Sequence, residues 1–266
     1  MSKYAQVFSI GWSSGFVYRL NFLMWRVRNV VQFLTIYLLW AAILRHNPSP
    51  AGYSASELLT YILLASLIRA VVFSSRSLEV QADIGQGNLN HYLIKPISYF
   101  GYWFSRDMAD KLLNLGFAVV EFGLLFFFLK PPLVLPPSAF YAFAFGGALI
   151  LATLLYFFFS LIVSATVFWI PEGSGWPQRF LIFVLMDFFA GGMFPLDMLP
   201  APLYQFALKL PFAYMLSVPL QIYLGRLSLT ATVAGLIIMF GWLFALMFLA
   251  HFAFRRGLRV YGAFGH

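Results

Sequence analysis

The 266-residue chain contains no cysteine, and only 10% of its residues are charged. The first absence excludes disulfides, thiolate metal sites and cysteine nucleophiles together, and leaves the redox compartment unreadable. The second excludes a soluble globule. Ordinary domains carry about 25% charged and about 45–50% apolar residues, whereas 62% here are hydrophobic and 20% aromatic. With a mean hydropathy of +0.83 the chain cannot cover a sphere with polar surface, and the composition is that of an integral membrane protein. Nine acidic residues face 17 Lys and Arg, a net charge of +8. Membrane proteins collect such an excess on their cytoplasmic side. No basic run is interleaved with exposed polar or aromatic residues in the manner of a nucleic-acid site, so nucleic acid is not an expected partner. The first apolar run carries Arg19, Arg26 and Arg28 and leads into further apolar sequence, unlike a signal peptide, and the chain reads as unprocessed.

A spanning helix needs about 20 mainly apolar residues, and six segments approach this length: Asn29–Leu44, Ser54–Phe73, Leu112–Leu129, Ser138–Ile170, Phe180–Phe194 and Thr230–Phe254. Ser54 and Glu57 have the spacing of a capping box at the second. The fourth is long enough to turn at Gly146 and Gly147, which would invert everything downstream. Charge placement argues for one tilted helix instead. With six crossings and cytoplasmic termini, the inner side receives Lys3, Arg19, Arg26, Arg28, Arg76, Lys95, Arg106, Lys111, Arg179, Arg255, Arg256 and Arg259, and the outer side only Arg45, Lys130, Lys209 and Arg226. The expected fold is therefore an all-α polytopic membrane protein in one transmembrane domain over residues 1–266.

Three segments do not span. In residues 1–20, Ser2, Gln6, Ser9 and Ser13 share one helical face and Tyr4, Phe8, Gly11, Trp12, Gly15 and Tyr18 the other, which predicts an interfacial helix on the inner membrane surface. Residues 74–111 form an inner loop holding most of the concentrated polarity. Gly85 and Gly87 suit helix termination and a turn, and Pro96 suits the first turn of a new helix. Between them Leu89, Tyr92 and Leu93 form an apolar stripe at i, i+3 and i+4, which on a cytoplasmic helix wants a partner. Residues 195–226, with prolines at 195, 200, 202, 211 and 219, predict short helices dipping back into the outer leaflet or capping the spans. No internal repeat is visible, which weakens inverted-repeat transporter folds.

Catalytic patterns are lacking. Gly11-Trp12-Ser13-Ser14-Gly15 matches a hydrolase elbow, but that motif needs a preceding strand and here sits in a helical stretch. The four histidines have no metal-ligand spacing, and no phosphate-cradling G-x-x-x-x-G-K-[ST] stretch occurs; if ATP drives the protein, another chain binds it. Arg69, Glu121 and Asp187 fall inside predicted spans. Such groups are costly there and thus functional candidates, either lining a pathway or pairing to lock helix packing. As pathway residues they would serve an ion-gradient-driven secondary transporter or channel.

Taken in order, Trp40; Gly52-Tyr53-Ser54 with Glu57-Leu58-Leu59 and Tyr61; Asp83-Ile84-Gly85-Gln86-Gly87-Asn88-Leu89 running to Leu93-Ile94-Lys95-Pro96-Ile97; Gly191-Gly192-Met193-Phe194-Pro195-Leu196 with Leu199-Pro200; Leu210-Pro211-Phe212; and Pro219 before Tyr223-Leu224-Gly225 resemble the permease subunits of type-2 ATP-binding-cassette exporters. The resemblance implies an interfacial N-terminal helix, six spans, a cytoplasmic coupling helix and re-entrant helices before the last span, in the plasma membrane of a prokaryote. It implies a second permease copy or sister permease, and separate ATPase subunits that hold ATP and Mg, with no cofactor in this chain. The coupling element would be Gly85 to Pro96, including Gly87 and Lys95, with Leu89, Tyr92 and Leu93 as its docking face. The cargo implied is hydrophobic or amphipathic: a drug, a lipid or a lipid-linked glycan.

Overall fold

The capping box at Ser54 forms. Its hydroxyl accepts from the Glu57 amide at 3.2 Å, and the Glu57 carboxylate accepts from the Ser54 amide at 2.8 Å, satisfying two of the donors that a helix start leaves open. The computed structural model describes residues 3–16, 19–170 and 176–261. Its helices are α1 (Lys3–Gly15), α2 (Arg19–His46), α3 (Ala55–Val72), α4 (Ser77–Gly85), α5 (Asn90–Leu93), α6 (Tyr99–Leu129), α7 (Ala139–Ala165), α8 (Trp176–Ala190), α9 (Ala201–Leu208), α10 (Ser217–Tyr223) and α11 (Leu229–Val260). Five of them, α2, α3, α6, α7 and α11, are long and apolar enough to cross a membrane.

The central post is α7. It runs unbroken through Gly146 and Gly147 and ends in a 3-10 turn, Thr166–Phe168; the expected terminators Pro171, Glu172 and Gly173 lie outside the described residues. Ala144, Ala148 and Ala152 are buried at i, i+4 and i+8, a spacing of small side chains that lets neighbours approach closely. Helix α11 packs along α7, while α4 and α10 also pack against it. Residues 213–222, expected to dip back or cap the spans, are buried throughout and pack on α7 and α3.

Two elements differ from the sequence expectation. Helix α6 starts at Tyr99, with Ser98 as its N-cap accepting from the Gly101 amide, rather than at Pro96 or at Leu112. Residues 99–111 carry Arg106, Asp107, Asp110 and Lys111, so hydropathy excludes them from a span although α1 and ion pairs keep them helical. Helix α8 is short. Its 15 residues, at about 1.5 Å each, cover about 22 Å of the ~30 Å hydrocarbon thickness, and it stops at Gly191 instead of reaching Phe194.

The N-terminal helix is not a lone surface helix. Its Gly face lies parallel to the first turns of α6: Gly11 faces Arg106 and Ala109, Gly15 faces Leu113, and the Tyr4 ring lies on Gly101. The pattern that mimics a hydrolase elbow is thus two helix-packing glycines at i and i+4. Phe8, Trp12 and Phe16 stack along one flank, and Gln6, Ser9 and Ser13 are solvent- or headgroup-accessible. Ser2 and Tyr18, assigned to these faces from sequence, lie outside the described residues. A Cβ on Gly11 would stand 3.2 Å from the Ala109 Cβ and 3.6 Å from the α6 backbone. Gly11→Leu is therefore expected to push α1 off α6 at a cost of about 1–3 kcal/mol, read as a lowered Tm and faster proteolysis of the N-terminal segment.

Candidate functional site

Apolar spacing in α4 places Val80 and Ile84 on one face, and both are buried against Tyr99, Trp103, Phe157 and Phe168. The chain then turns. Gly87 adopts φ +77°, a left-handed conformation that favours glycine, and the Asn88 amide donates to the Asp83 carbonyl at 2.9 Å. This turn drives Leu89 into the same cluster, where it is 0% exposed. Tyr92 sits edge-on to Tyr99 and Tyr102, with ring centroids 5.5 and 5.1 Å apart, and Lys95 lies over its ring.

The stripe expected to face a partner is therefore covered by the chain itself. Leu89 is unavailable for docking and Tyr92 is half-buried, because the aromatic start of α6 supplies apolar surface directly beneath them; the Leu93 side chain lies outside the described residues. Spacing reports that a stripe exists and is silent on what covers it. The accessible rim of this turn is Gly85, Gln86, Asn90, His91, Ile94, Lys95 and Pro96, and Ile94 stands out at 82% exposed. Lys3 donates to the Pro96 carbonyl at 3.0 Å, tying α1 to the end of the turn.

Ion pairs hold the turn to the spans. Arg76 bridges Glu79 (3.0 Å) and Asp110 (2.9 Å), and Arg106 meets Glu79 at 2.7 Å. Lys111, buried, donates to the carbonyls of Val71, Val72 and Ser74 and lies 3.5 Å from Asp107. It thereby occupies the C-terminal end of α3, where carbonyls lack intrahelical donors and the dipole favours a cation. Arg179 of α8 donates to Gln81 of α4 and Ser164 of α7. Sequence placed Lys111 and Arg179 among inner-side charges; nothing in their spacing marked them as buried junctions.

Two further pairs lie among the long helices. Arg69 meets Asp187 at 3.1 Å, and Glu121 meets Arg26 at 3.4 Å. The three span charges are thus not brought together: Arg69 and Asp187 join α3 to α8, and Glu121 joins α6 to α2 through a cation that sequence had placed at the membrane edge. At the end of α8, Gly191 turns at φ +81° and its carbonyl accepts from the Tyr61 hydroxyl at 2.8 Å. Tyr61 lies in the first half of α3, so α8 stops short of the level at which α3 begins. The next residues are held by side chains: Trp40 Nε1 donates to the Met193 carbonyl, and the Tyr53 hydroxyl to Asp197. Arg226 stacks 3.6 Å over the Tyr53 ring and approaches Glu57 and Asp197. Among the described residues no three His, Asp or Glu side chains converge as a metal site requires.

Asp83 has no cation within ion-pair distance among the described residues. Burial pushes its carboxyl up, Glu79 adds to the rise, and a hydrogen bond with Tyr92 opposes it. A carboxyl raised in the folded state binds protons more readily than in the unfolded chain, so its contribution to stability falls as pH rises from 3.8, its ordinary value, through the raised one. Asp83→Asn is expected to raise Tm at pH 7, and the gain should vanish when melting is repeated below pH 3.8.

A family model described as ABC-2 family transporter protein matches residues 30–265. Comparison with curated proteins and with solved structures gives no match. The matched range runs from α2 to beyond α11, taking in the turn after α4, the break after α8 and the buried segment before α11. With five apolar helices of spanning length, this chain is a multi-pass membrane protein that belongs to the ABC-2 transporter family as a permease.

Proposed function

We propose that the chain is the transmembrane subunit of an ATP-driven exporter for a hydrophobic or amphipathic cargo, and that separate ATPase subunits dock on the rim around Ile94. The observation that carries this reading is the exposure of Ile94 on a turn where Leu89 is covered and Tyr92 half-buried. Leu89 and Tyr92 anchor the turn, while Gly85, Lys95 and Pro96 form its accessible edge. Force on such a rim reaches the spans through Glu79–Arg106, Arg76–Asp110 and Gln81–Arg179, which supplies the differential contacts that coupling requires.

In this reading the turn and both termini face the cytoplasm, as the Lys and Arg distribution favours. Helix α8 with its irregular continuation makes the sixth crossing, and Trp12 and Phe16 seat α1 at the interface. A second copy or a sister permease completes the pathway, and the ATPase partners hold ATP and Mg. Pairing of Glu121 with Arg26 and of Asp187 with Arg69 favours this reading over an ion-gradient-driven transporter, which needs carboxylates available to its ion.

Co-purification with a co-expressed Walker-type ATPase is the direct test. Ile94→Asp is expected to lower ATPase recovery about tenfold or more, as loss of a central apolar anchor does, with Tm unchanged. Leu89→Asp is expected instead to lower Tm, because it buries a charge without a partner. Full ATPase recovery with Ile94→Asp would remove the docking assignment.

A further inference from the structure

We propose that the break at the end of α8 holds a binding site for the anionic headgroup of an amphipathic molecule, with Arg69 as the anion-binding residue. The site lies in a cleft between α2 and α3 lined by Asn29, Gln32, Ser66 and Arg69, together with Phe33 and Ala70. Asn29 and Gln32 are three apart on α2, and Ser66 and Arg69 three apart on α3, so each pair shares one helix face. Two otherwise apolar helices therefore turn their polar side chains toward the same space. Polar and charged groups inside a membrane are costly, and mark pathways when they face a cavity.

Arg69 has donor capacity to spare. A guanidinium carries five N–H donors in a fixed fork. Asp187 Oδ1 lies 3.1 Å from Nη2 as an ion pair, yet neither atom makes a hydrogen bond, and Nε has no acceptor. The pair is neutral but under-bonded, with side chains 17% and 30% exposed. Gly192 makes this arrangement possible, since a Cβ there would stand 2.6 Å from Asp187 Oδ1 and overlap the Arg69 guanidinium. A phosphate or carboxylate entering the cleft would give the fork the planar, charge-assisted acceptor that suits it, while the Asn29 and Gln32 amides can donate to its remaining oxygens.

The cleft's size selects a headgroup. Its cavity volume is about 40 Å³, far below the ~300–1,000 Å³ that enclose a whole drug-sized ligand, which leaves room for a small headgroup alone. The apolar part of such a molecule must lie outside; Val184 and Phe188, one turn before and one residue after Asp187 on α8, are exposed. The inference rests on the permease reading only in treating the bound amphiphile as cargo.

The test is saturable binding of radiolabelled dodecyl phosphate to the full chain in phosphatidylcholine nanodiscs, with empty nanodiscs as blank. Asp187→Asn removes the competing carboxylate and is expected to tighten binding about tenfold, while Arg69→Gln combined with Asp187→Asn, which keeps the site neutral, should weaken it about tenfold or more, the range for one hydrogen bond to a charged group. Competition by phosphatidylglycerol would identify an anionic bilayer lipid as the source of the headgroup; its absence would identify a non-bilayer amphiphile, and both support the site. Equal binding by wild type and the double variant overturns the proposal, as does equal binding of dodecyltrimethylammonium. Saturation by inorganic phosphate at the same concentration overturns the amphiphile assignment. Because no ATPase is present, intact ATPase recovery without Arg69-dependent binding removes this inference alone, and the converse removes the docking reading alone.

Discussion

Among the described residues every acidic side chain but one meets a cation, and the geometry of the bundle follows from where those meetings occur. Of the acids in the described residues, Glu57, Glu79, Asp107, Asp110, Glu121, Asp187 and Asp197 all lie in ion pairs. Most join different elements: α2 to α6, α3 to α8, the turn before α4 to α6, and the segments before α3 and α11 to one another. Leaving one partner of a buried pair alone costs about 3–5 kcal/mol, so each pair restricts how its helices can slide. Asp83, near the end of α4, is the exception.

The pairs also divide the molecule by role. At one end Arg76 and Arg106 bind α4 and its start to α6, and Lys111 of α6 binds the end of α3, so that a displacement of α4 is shared with α3 and α6. At the other, Tyr53, Glu57, Asp197 and Arg226 close the start of α3 over the segment that follows α8. Between them α8 ends short of a full span, and the irregular backbone at its end is held by Tyr61, Trp40 and Arg69. Such backbone is tolerated at membrane depth only where protein or a cavity surrounds it.

Much of the architecture was legible from local chemistry. The Ser54–Glu57 box, the unbroken α7 and the glycine turn after α4 each depend on residues near one another in sequence. The start of α6 was hidden because Arg106 to Lys111 interrupt its hydropathy, and the stopping point of α8 because Phe194 continues the apolar run past two glycines. The exposure of the turn was hidden for a related reason: Leu89 and Ile94 are both apolar and five positions apart, and only the position of Tyr99 and Trp103 decides which is covered.

Composition and spacing alone determined that the chain lives in a membrane, where α3 and α7 begin, and where its polarity concentrates, because hydrophobic burial and helix capping act over one or two turns. The tertiary structure alone decided the partners: Arg26 for Glu121, Arg69 for Asp187, Lys111 for the end of α3, and the core rather than another protein for Leu89. A charge or an apolar stripe specifies that it must be covered, and many surfaces satisfy that demand equally in sequence. Which one does so depends on the packing of helices far apart in the chain.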